Sequence, residues 1–456
     1  MNIEEKAKIF AIEAHAGQVR KSQKEKPMII HPINVANILK EAGFDENVVA
    51  AGFLHDVVED TKYTEEDILN LFGEDIRSLV MTASEPDKSL SWEERKQHTI
   101  DTIKNMDLRH KAVVCADKIS NLEDLRIMSE IKGEYDFSSF KRGFRKQKWY
   151  YESVYESLIE NEDKNNPLFV RLKELIDYIF SNKKDNYIRN TIFNNSEEYN
   201  ELLKIHYQKQ ELYKLKSVFN NKPYVIEFTG TPRTGKTTII NNLYDFFKKA
   251  NFNVVLLEEF TTSKKYKKEI KPLLKDKYKK AVYTKIPKYV LKKLEKTIDE
   301  NPDIILIDRS LFDRTIWVDR LYKKEGISKK EYEEYLNYYL PIIKEKNNII
   351  IGTYTDSLTS LRRDYKSNLS LETRSFLNEQ NVNEYNISLK NMEEFANKND
   401  VNFKLFDTTD ITVRELSINI AKEILKDMRE YYINGVNQEF NEKGENNERV
   451  NQKTKK

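Results

Sequence analysis

The chain has 456 residues, and its 77 basic side chains nearly balance 75 acidic ones, which gives a formal net charge of +2. That balance argues against a purely electrostatic nucleic-acid binder, and no apolar run approaches the roughly 18–20 residues that cross a bilayer. The single cysteine, Cys115, excludes a disulfide framework and fits a reducing cytoplasm. The length exceeds what one hydrophobic core supports, so we expect several domains.

The spacing of apolar residues predicts two architectures in series. Residues 1–180 repeat apolar positions every three or four residues, which predicts an all-α helical bundle. Residues 181–222 are polar and predict a helical linker. Residues 223–430 alternate short β-branched runs with helical segments, which predicts an α/β domain with a five-stranded parallel sheet. The five runs are YVIEF, NVVLLEEF, DIILIDRS, NNIIIGTYT and FKLFDTT. Residues 431–456 lack apolar periodicity and predict a disordered tail.

Separated histidines and aspartates in the helical domain predict a metal site. FLHDVVEDT (53–61) lies in a run that otherwise predicts a buried helix, yet it contains the adjacent His55 and Asp56. His31 begins another amphipathic helix, and Asp117 lies in VVCADKISNL. Imidazole and carboxylate donors together suit a divalent transition metal such as Mn²⁺, Fe²⁺ or Zn²⁺. A bound cation would offset the cost of burying these negative charges.

Further polar residues lie one helical turn from the expected ligands. Glu59 and Asp60 follow Asp56 by three and four positions, so a helix brings them to the same face. Carboxylates in that place orient or deprotonate a metal-bound water. Asn121, one turn after Asp117, is expected either to fix that carboxylate or to bind substrate.

The order and context of these residues resemble the metal ligands of HD-domain phosphohydrolases. The stretches HAGQVRKSQKEKPMIIHPINVA, AAGFLHDVVEDT and ADKISNL narrow the resemblance to the RelA/SpoT family and the small alarmone hydrolases of the stringent response. The resemblance implies one metal, typically Mn²⁺, and removal of the 3′-pyrophosphate from (p)ppGpp. It implies these roles: His31, His55, Asp56 and Asp117 hold the metal, Glu59 and Asp60 activate water, Arg20 and Lys21 hold base and phosphates, and Asn121 contacts the sugar. One departure is Glu123, where the family usually has an arginine or a similar group.

A second motif predicts a nucleotide-binding loop in the α/β domain. The pattern G-x-x-x-x-G-K-T runs from Gly230 to Thr237, between an apolar strand and an amphipathic helix. Loop amides bind phosphate, Lys236 reaches the β/γ oxygens and the Thr237 hydroxyl binds Mg²⁺ in such loops. We therefore expect Mg²⁺ and ATP here, with GTP as the alternative. The expected cofactor-binding residues are Gly230, Thr231, Arg233, Thr234, Gly235, Lys236, Thr237, Thr238 and Asp308. Arg233 either adds charge toward the phosphates or points to solvent.

Segments that follow the phosphate loop in the sequence favour a kinase over a motor protein. Glu259 ends the second strand, where a carboxylate accepts a hydroxyl proton, and Arg309 follows Asp308 at the end of the third. Three arginines, Arg362, Arg363 and Arg374, suit a mobile lid over the transferring phosphate. This set resembles the thymidylate-kinase and deoxynucleoside-kinase branch of P-loop kinases. The resemblance implies a small nucleoside or nucleotide acceptor.

The whole chain is interpreted as a bifunctional nucleotide enzyme, a metal-dependent pyrophosphohydrolase joined to an ATP-dependent kinase. Its expected partners are small-molecule nucleotides, with no membrane; an oligomer is left open. The basic run 261–280 is interpreted as a solvated helix, with a nucleic-acid contact as the alternative. Two other functions compete: a regulatory sensor in which one domain binds nucleotide without turnover, and an NTPase-driven defence or stress protein.

Overall fold

The computed structural model describes residues 2–20, 23–84, 89–132, 142–180, 197–218, 222–259, 274–368 and 377–453. The chain divides into two compact units, Met1–Phe219 together with Arg429–Lys456, and Asn220–Met428. Within those described ranges, no helix is both long and apolar enough to cross a membrane.

The first unit is a helical bundle with one small hairpin. Its helices are α1 (Ile3–Ala14), α2 (Ile30–Glu41), α3 (Glu46–Leu54), α4 (Val57–Asp60), α5 (Glu65–Phe72), α6 (Glu74–Ala83), α7 (Trp92–Lys104), α8 (Leu108–Lys132), α9 (Gly143–Leu158), α10 (Pro167–Phe180) and α11 (Glu197–Val218). Strands β1 (Val19–Arg20) and β2 (Gln23–Pro27) pair antiparallel. Side chains define several helix starts: Thr64 and Ser91 form capping boxes with Asp67 and Glu94.

Helices α2, α3 and α8 form the centre of this unit. Segments of α2 and α3, and the middle of α8, are buried almost continuously, which explains why their sequences look apolar on more than one face. Helices α2 and α3 approach closely at Gly52, where an added Cβ would lie 3.0 Å from the Cα of Ala36. This close packing places the end of α3 beside the start of α2.

The second unit is an α/β domain. Its strands are β3 (Tyr224–Gly230), β4 (Val254–Leu257), β5 (Ile304–Asp308), β6 (Ile349–Tyr354) and β7 (Phe403–Asp407). Its helices are α12 (Lys236–Lys248), α13 (Leu274–Asp299), α14 (Leu311–Lys323), α15 (Lys329–Lys346), α16 (Ser357–Asn368), α17 (Glu379–Lys398) and α18 (Val413–Lys453), the last of which continues past Met428. All strand pairs are parallel, in the order β4-β5-β3-β6-β7. The predicted five-stranded parallel sheet is confirmed, and so is the helical first unit.

The structure corrects several expectations about segment types. The hairpin β1–β2 was missed because its sequence, rich in lysine and glutamine, has no apolar alternation. Residues 181–222 were predicted to be a helical linker; residues 197–218 form α11, which buries Ile205, Leu212 and Leu215 in the first unit. Residues 431–456 were expected to be disordered, yet the backbone of α18 is helical to Lys453. Tyr432, Ile433 and Val436 are buried because they continue the apolar spacing of the preceding turns.

The close approach of α2 and α3 predicts the effect of enlarging Gly52. In Gly52→Ala, the new methyl group would lie 2.8 Å from Leu39 Cδ1 and 3.0 Å from the Ala36 backbone. Such overpacking should lower the free energy of unfolding by about 1–3 kcal/mol, measured by chemical denaturation of the full chain. The control is Glu46→Gln at an exposed position of α3, with an expected change below about 0.5 kcal/mol. Equal stability of Gly52→Ala and the wild type would contradict this packing.

Candidate active sites

The expected metal ligands of the first unit meet at one buried point. His31 lies in the first turn of α2, His55 and Asp56 lie between α3 and α4, and Asp117 lies on α8. We call these four residues the histidine–aspartate cluster. His31, His55 and Asp117 are buried and each offers one ligand atom, with these atoms all within 4.8 Å of one another. The grouping expected from the sequence is therefore present.

FLHDVVEDT was expected to be one buried helix, and that expectation was wrong. Helix α3 ends at Leu54 and α4 begins at Val57, so His55 and Asp56 occupy a break. Both residues keep right-handed helical backbone angles across this break. Both side chains also reach His31 Nε2, which lies 3.2 Å from His55 Nε2 and 3.6 Å from the Asp56 carboxylate. Beyond the break, the Asp60 amide still donates to the Asp56 carbonyl, which preserves the helical turn to the acidic residues.

The distances within the histidine–aspartate cluster fit a metal ion. His31 Nε2 lies 3.2 Å from His55 Nε2 and 3.1 Å from Asp117 Oδ1. The Asp56 carboxylate lies 3.2 Å from His55 Nε2 and 3.6 Å from His31 Nε2. Two ligand atoms at right angles around a metal, each about 2.1 Å from it, are about 3.0 Å apart. The donor set, two imidazoles with two carboxylates, suits a divalent transition metal.

Outer hydrogen bonds orient both imidazoles toward the centre. His55 Nδ1 lies 2.9 Å from the Gly52 carbonyl oxygen, which only accepts, so Nδ1 carries the hydrogen and Nε2 keeps its lone pair. His31 Nδ1 lies 3.0 Å from the Ser120 hydroxyl. Such outer partners fix the tautomer and the ring orientation of metal-binding histidines. His55 Nε2 therefore presents a lone pair toward His31 Nε2, 3.2 Å away, an arrangement that suits a cation between the two rings.

The electrostatic surroundings favour the ligand forms of these residues. Burial is the largest influence on His31 and lowers its pKa, which keeps the imidazole neutral. Burial opposes ionisation of Asp117, but the neighbouring Lys118 ammonium opposes that effect, and the Asp117 pKa lies well below its ordinary value. Neutral imidazole and ionised carboxylate are the states that bind a metal.

The two acidic residues expected to activate water, Glu59 and Asp60, lie on α4, in the same region as His15. Glu59 and Asp60 are half-buried, and Gln18 Nε2 donates to the Asp60 carbonyl at 2.8 Å. Gln18 also contacts Nδ1 of the buried His15, at 2.8 Å. Burial lowers the pKa of His15, while Gln18, Asp56 and Asp60 pull it upward. His15 Nε2 is buried and has no hydrogen-bond partner among the described residues, so His15 belongs to the lining of this site.

The substrate residues expected from the resemblance lie next to Asp117. Asn121 Nδ2 donates to Asp117 Oδ1 at 2.6 Å, and Asn121 Oδ1 accepts from Arg20 Nη2 at 3.3 Å. Arg20 also donates to Asp124 at 3.2 Å. Lys21 lies outside the described residues. Glu123, the departure from the family pattern, is held by Arg171 at 2.6 Å and Lys214 at 2.7 Å, so its charge is compensated.

The phosphate loop, Gly230–Thr237, connects β3 to α12 in the second unit. Gly230 (φ 150°) allows a close approach to β6, since an added Cβ would lie 2.2 Å from the Thr353 carbonyl oxygen. Gly235 adopts a left-handed conformation just before α12. Thr231 and Thr234 are buried in the loop, whereas Thr237 and Thr238 are exposed in the first turn of α12. The Thr231 amide donates to the Thr353 carbonyl at 2.9 Å and Pro232 has no amide hydrogen, so phosphate would bind to the later amides of the loop and the start of α12.

The strand ends place charged groups around the loop. Lys236 is buried in contact with the Asp308 carboxylate, and burial lowers the pKa of Lys236. Arg309 donates to the Gly230 carbonyl at 3.0 Å and to Asp313 at 3.2 Å, and its Nε lies 3.8 Å from Glu259. Asp308, Arg309 and Glu259 were expected at this edge of the sheet, and the structure brings them together there.

The arginines expected near phosphate have other partners. Arg233 Nε donates to Asp364 at 2.6 Å, so Arg233 points neither to the loop centre nor freely to solvent. Arg363 donates to the Thr408 carbonyl at 2.6 Å and to the Arg233 carbonyl at 3.4 Å. Arg362 is exposed on α16. Arg374 and residues 260–273, which include most of the basic run, lie outside the described residues.

Two buried acids beside the loop were missed by the sequence analysis. Glu227 accepts hydrogen bonds from the amides of Ser310, Phe312 and Asp313, at the start of α14. Burial raises the pKa of Glu227 to about 7. Asp313 accepts from Thr229 at 2.6 Å and from Tyr385 at 3.0 Å, besides its contact with Arg309. An acidic residue inside the apolar run YVIEF was the available signal for Glu227; nothing in the sequence near Asp313 distinguishes it.

The hydrogen bond from Ser120 to His31 predicts a measurable effect on metal affinity. Ser120→Ala removes the outer partner of His31 Nδ1 and should weaken Mn²⁺ binding by about 10–100-fold, because the imidazole loses its fixed orientation. Isothermal titration of the full chain with Mn²⁺ measures this. The matched control is Ser78→Ala, since Ser78 lies 3.0 Å from His110 in the same unit but outside the histidine–aspartate cluster. Equal affinity in both variants would exclude this orienting role.

Comparisons with known proteins address the first unit. A family model described as an HD domain matches residues 7–134. MESH1 from Drosophila melanogaster, a guanosine-3′,5′-bis(diphosphate) 3′-pyrophosphohydrolase, is 43% identical over 120 residues, which cover 26% of this chain and 66% of that protein. SpoT from Escherichia coli, a bifunctional (p)ppGpp synthase/hydrolase, is 36% identical over 125 residues, which cover 26% of this chain and 17% of that protein.

A solved structure matches another part of the chain. Deoxyadenosine kinase from M. mycoides with bound dATP has 25% sequence identity and a TM-score of 0.30, and the match covers 44% of this chain and 99% of that one. The curated relatives, by contrast, are spanned only in part, about two thirds of MESH1 and less than a fifth of SpoT. Residues 7–134 of this chain are therefore similar to an HD domain, and the relatives with such a segment include MESH1 and SpoT.

Proposed function

We propose that the chain is a bifunctional nucleotide enzyme. In the first unit, a metal-dependent pyrophosphohydrolase removes the 3′-pyrophosphate from (p)ppGpp-like nucleotides. In the second, a P-loop kinase transfers phosphate from ATP to a small acceptor. The observation that carries the first activity is the convergence of His31, His55 and Asp117 at ligand spacing, inside a segment 43% identical to a 3′-pyrophosphohydrolase.

The hydrolytic chemistry is divided among the residues around the histidine–aspartate cluster. A divalent metal, which we propose is Mn²⁺, would polarise the phosphate and lower the pKa of its bound water. Glu59 and Asp60, on the turn that follows Asp56, are placed to accept the proton of the attacking water. Arg20 and Asn121 present a guanidinium and an amide beside Asp117, which suits the phosphates and the sugar of a nucleotide.

The kinase proposal is supported by the phosphate loop and by the charged groups around it. Lys236 and Asp308 are in contact at the loop, and we assign Lys236 to the β/γ-phosphates and Asp308 to Mg²⁺. Arg309 donates to the Gly230 carbonyl in the same loop and suits a phosphoryl group. The cavity beside the loop, lined by Pro232, Arg309 and Tyr385 among others, is about 20 Å³, room for about one water molecule, and does not identify an acceptor. The proposed acceptor is a nucleoside or nucleotide.

The hydrolase proposal predicts a specific loss in His55→Ala. Without one cluster imidazole, Mn²⁺-dependent release of pyrophosphate from ppGpp should fall at least about a hundredfold, measured by phosphate-coupled assay and mass spectrometry. ATP binding by the second unit should be unchanged. The control is His110→Ala, because His110 contacts Asp107 and Ser78 and lies outside the cluster.

Two outcomes of this experiment would contradict the hydrolase proposal. A wild-type chain that leaves ppGpp intact with Mn²⁺ lacks the activity. A His55→Ala chain that hydrolyses ppGpp at the wild-type rate would place the chemistry elsewhere. If ppGpp binds without turnover and changes the affinity for ATP, the first unit is a regulatory sensor.

The kinase proposal predicts that Lys236→Ala loses phosphoryl transfer. Removing the ammonium of the phosphate loop should lower transfer from ATP to a panel of nucleosides and nucleotides at least about a hundredfold, while pyrophosphate release from ppGpp continues. The control is Lys249→Ala, at an exposed position just after α12. ATP hydrolysis without any phosphorylated acceptor in the panel would identify an NTPase instead.

A further inference from the structure

Helix α11, which lies outside the matched HD segment, reaches the edge of the proposed hydrolase site. Its Lys214 Nζ lies 2.7 Å from Glu123 Oε2 and 3.7 Å from Asp124 Oδ1. Both carboxylates follow Asn121 on α8. Lys214 therefore contacts two acidic side chains at once, in a place where the side-chain exposure of all three is between 12% and 16%.

Of the two carboxylates, Asp124 is linked to the histidine–aspartate cluster through Arg20 and Asn121. Asp124 accepts from Arg20 at 3.2 Å and from Lys26 at 3.5 Å. Arg20 also donates to Asn121, and Asn121 donates to Asp117. Asp124 therefore competes with a bound nucleotide for the Arg20 guanidinium.

The charges explain why a cation is needed beside Glu123 and Asp124. Two carboxylates near a polyphosphate site repel the substrate, and in a partly buried setting that repulsion is weakly screened. Asp124 has three cationic neighbours, Arg20, Lys26 and Lys214. If one of the two lysines were missing, Asp124 would attract the Arg20 guanidinium more strongly. The cations Lys26 and Lys214 weaken that attraction. Surrounding cations already keep the Asp124 pKa far below its ordinary value, against the opposing effect of burial.

We propose that Lys214 is a positioning residue of the hydrolase site. By neutralising Glu123 and Asp124, it leaves the Arg20 guanidinium available to the phosphate groups of a polyphosphorylated nucleotide. The role rests on the proposed pyrophosphohydrolase function. It assigns to α11, a helix beyond the HD domain, the cationic charge that the family usually has at the position of Glu123.

The test uses the full chain with Mn²⁺ and ppGpp as the probe. Lys214→Met and Lys214→Gln should each raise KM about tenfold with little change in kcat, because a ground-state contact is weakened and the metal ligands are intact. Lys214→Arg should retain the wild-type KM. Lys204→Met is the matched control, since Lys204 is exposed on the same helix. Titration of ppGpp into His55→Ala and His55→Ala/Lys214→Met should show a similar loss of affinity without turnover.

A compensating substitution separates charge from structure. If Lys214 acts by offsetting the charge of Asp124, which holds Arg20, then Asp124→Asn/Lys214→Met should recover most of the wild-type KM, although the contact of Lys214 with Glu123 stays lost. A Lys214→Met KM equal to that of an active wild type overturns the inference alone. A raised KM that Asp124→Asn does not reduce also overturns it. A wild type that neither hydrolyses nor binds ppGpp overturns the proposed function and this inference with it.

Discussion

In the first unit, two buried imidazoles and the buried Asp117 carboxylate meet around one point, with the partly exposed Asp56 beside them. His31 and His55 direct their Nε2 atoms toward each other at 3.2 Å, and both also face Asp56 and Asp117. Buried groups of this kind are costly unless they are paired or coordinate a cation. Three separate segments bring these side chains together, so the packing of α2, α3 and α8 and the geometry of the cluster depend on each other.

Residues around the cluster hold its side chains in position. Gly52 contributes in two ways: the missing Cβ lets α3 approach α2, and its carbonyl orients His55. On the opposite side, Asn121 connects Asp117 to Arg20. The charge of Glu123 is balanced by cations from α10 and α11, namely Arg171 and Lys214. The proposed substrate side of the site therefore depends on helices beyond residue 134.

Sequence patterns predicted the features that depend on local spacing. The parallel sheet followed from five β-branched runs, and the phosphate loop from its glycines and lysine between a strand and a helix. The four ligands were found because adjacent His55 and Asp56 were out of place in an apolar run. Pairings between distant segments were not predictable. Lys214 with Glu123, Arg233 with Asp364 and Arg309 with Asp313 depend on tertiary packing, and long charged side chains choose partners that spacing does not specify. The break between α3 and α4 at His55 was also missed, because it depends on tertiary packing and not on local spacing.

The central claim is that the histidine–aspartate cluster holds the metal of a nucleotide hydrolase. It is tested most directly by crystals of the full chain grown with Mn²⁺ and ppGpp and measured at the manganese absorption edge. The account predicts one anomalous peak about 2.0–2.3 Å from His31 Nε2, His55 Nε2 and the carboxylates of Asp56 and Asp117, with nucleotide phosphate beside Arg20. A peak elsewhere, or none between these side chains at saturating Mn²⁺, would contradict it.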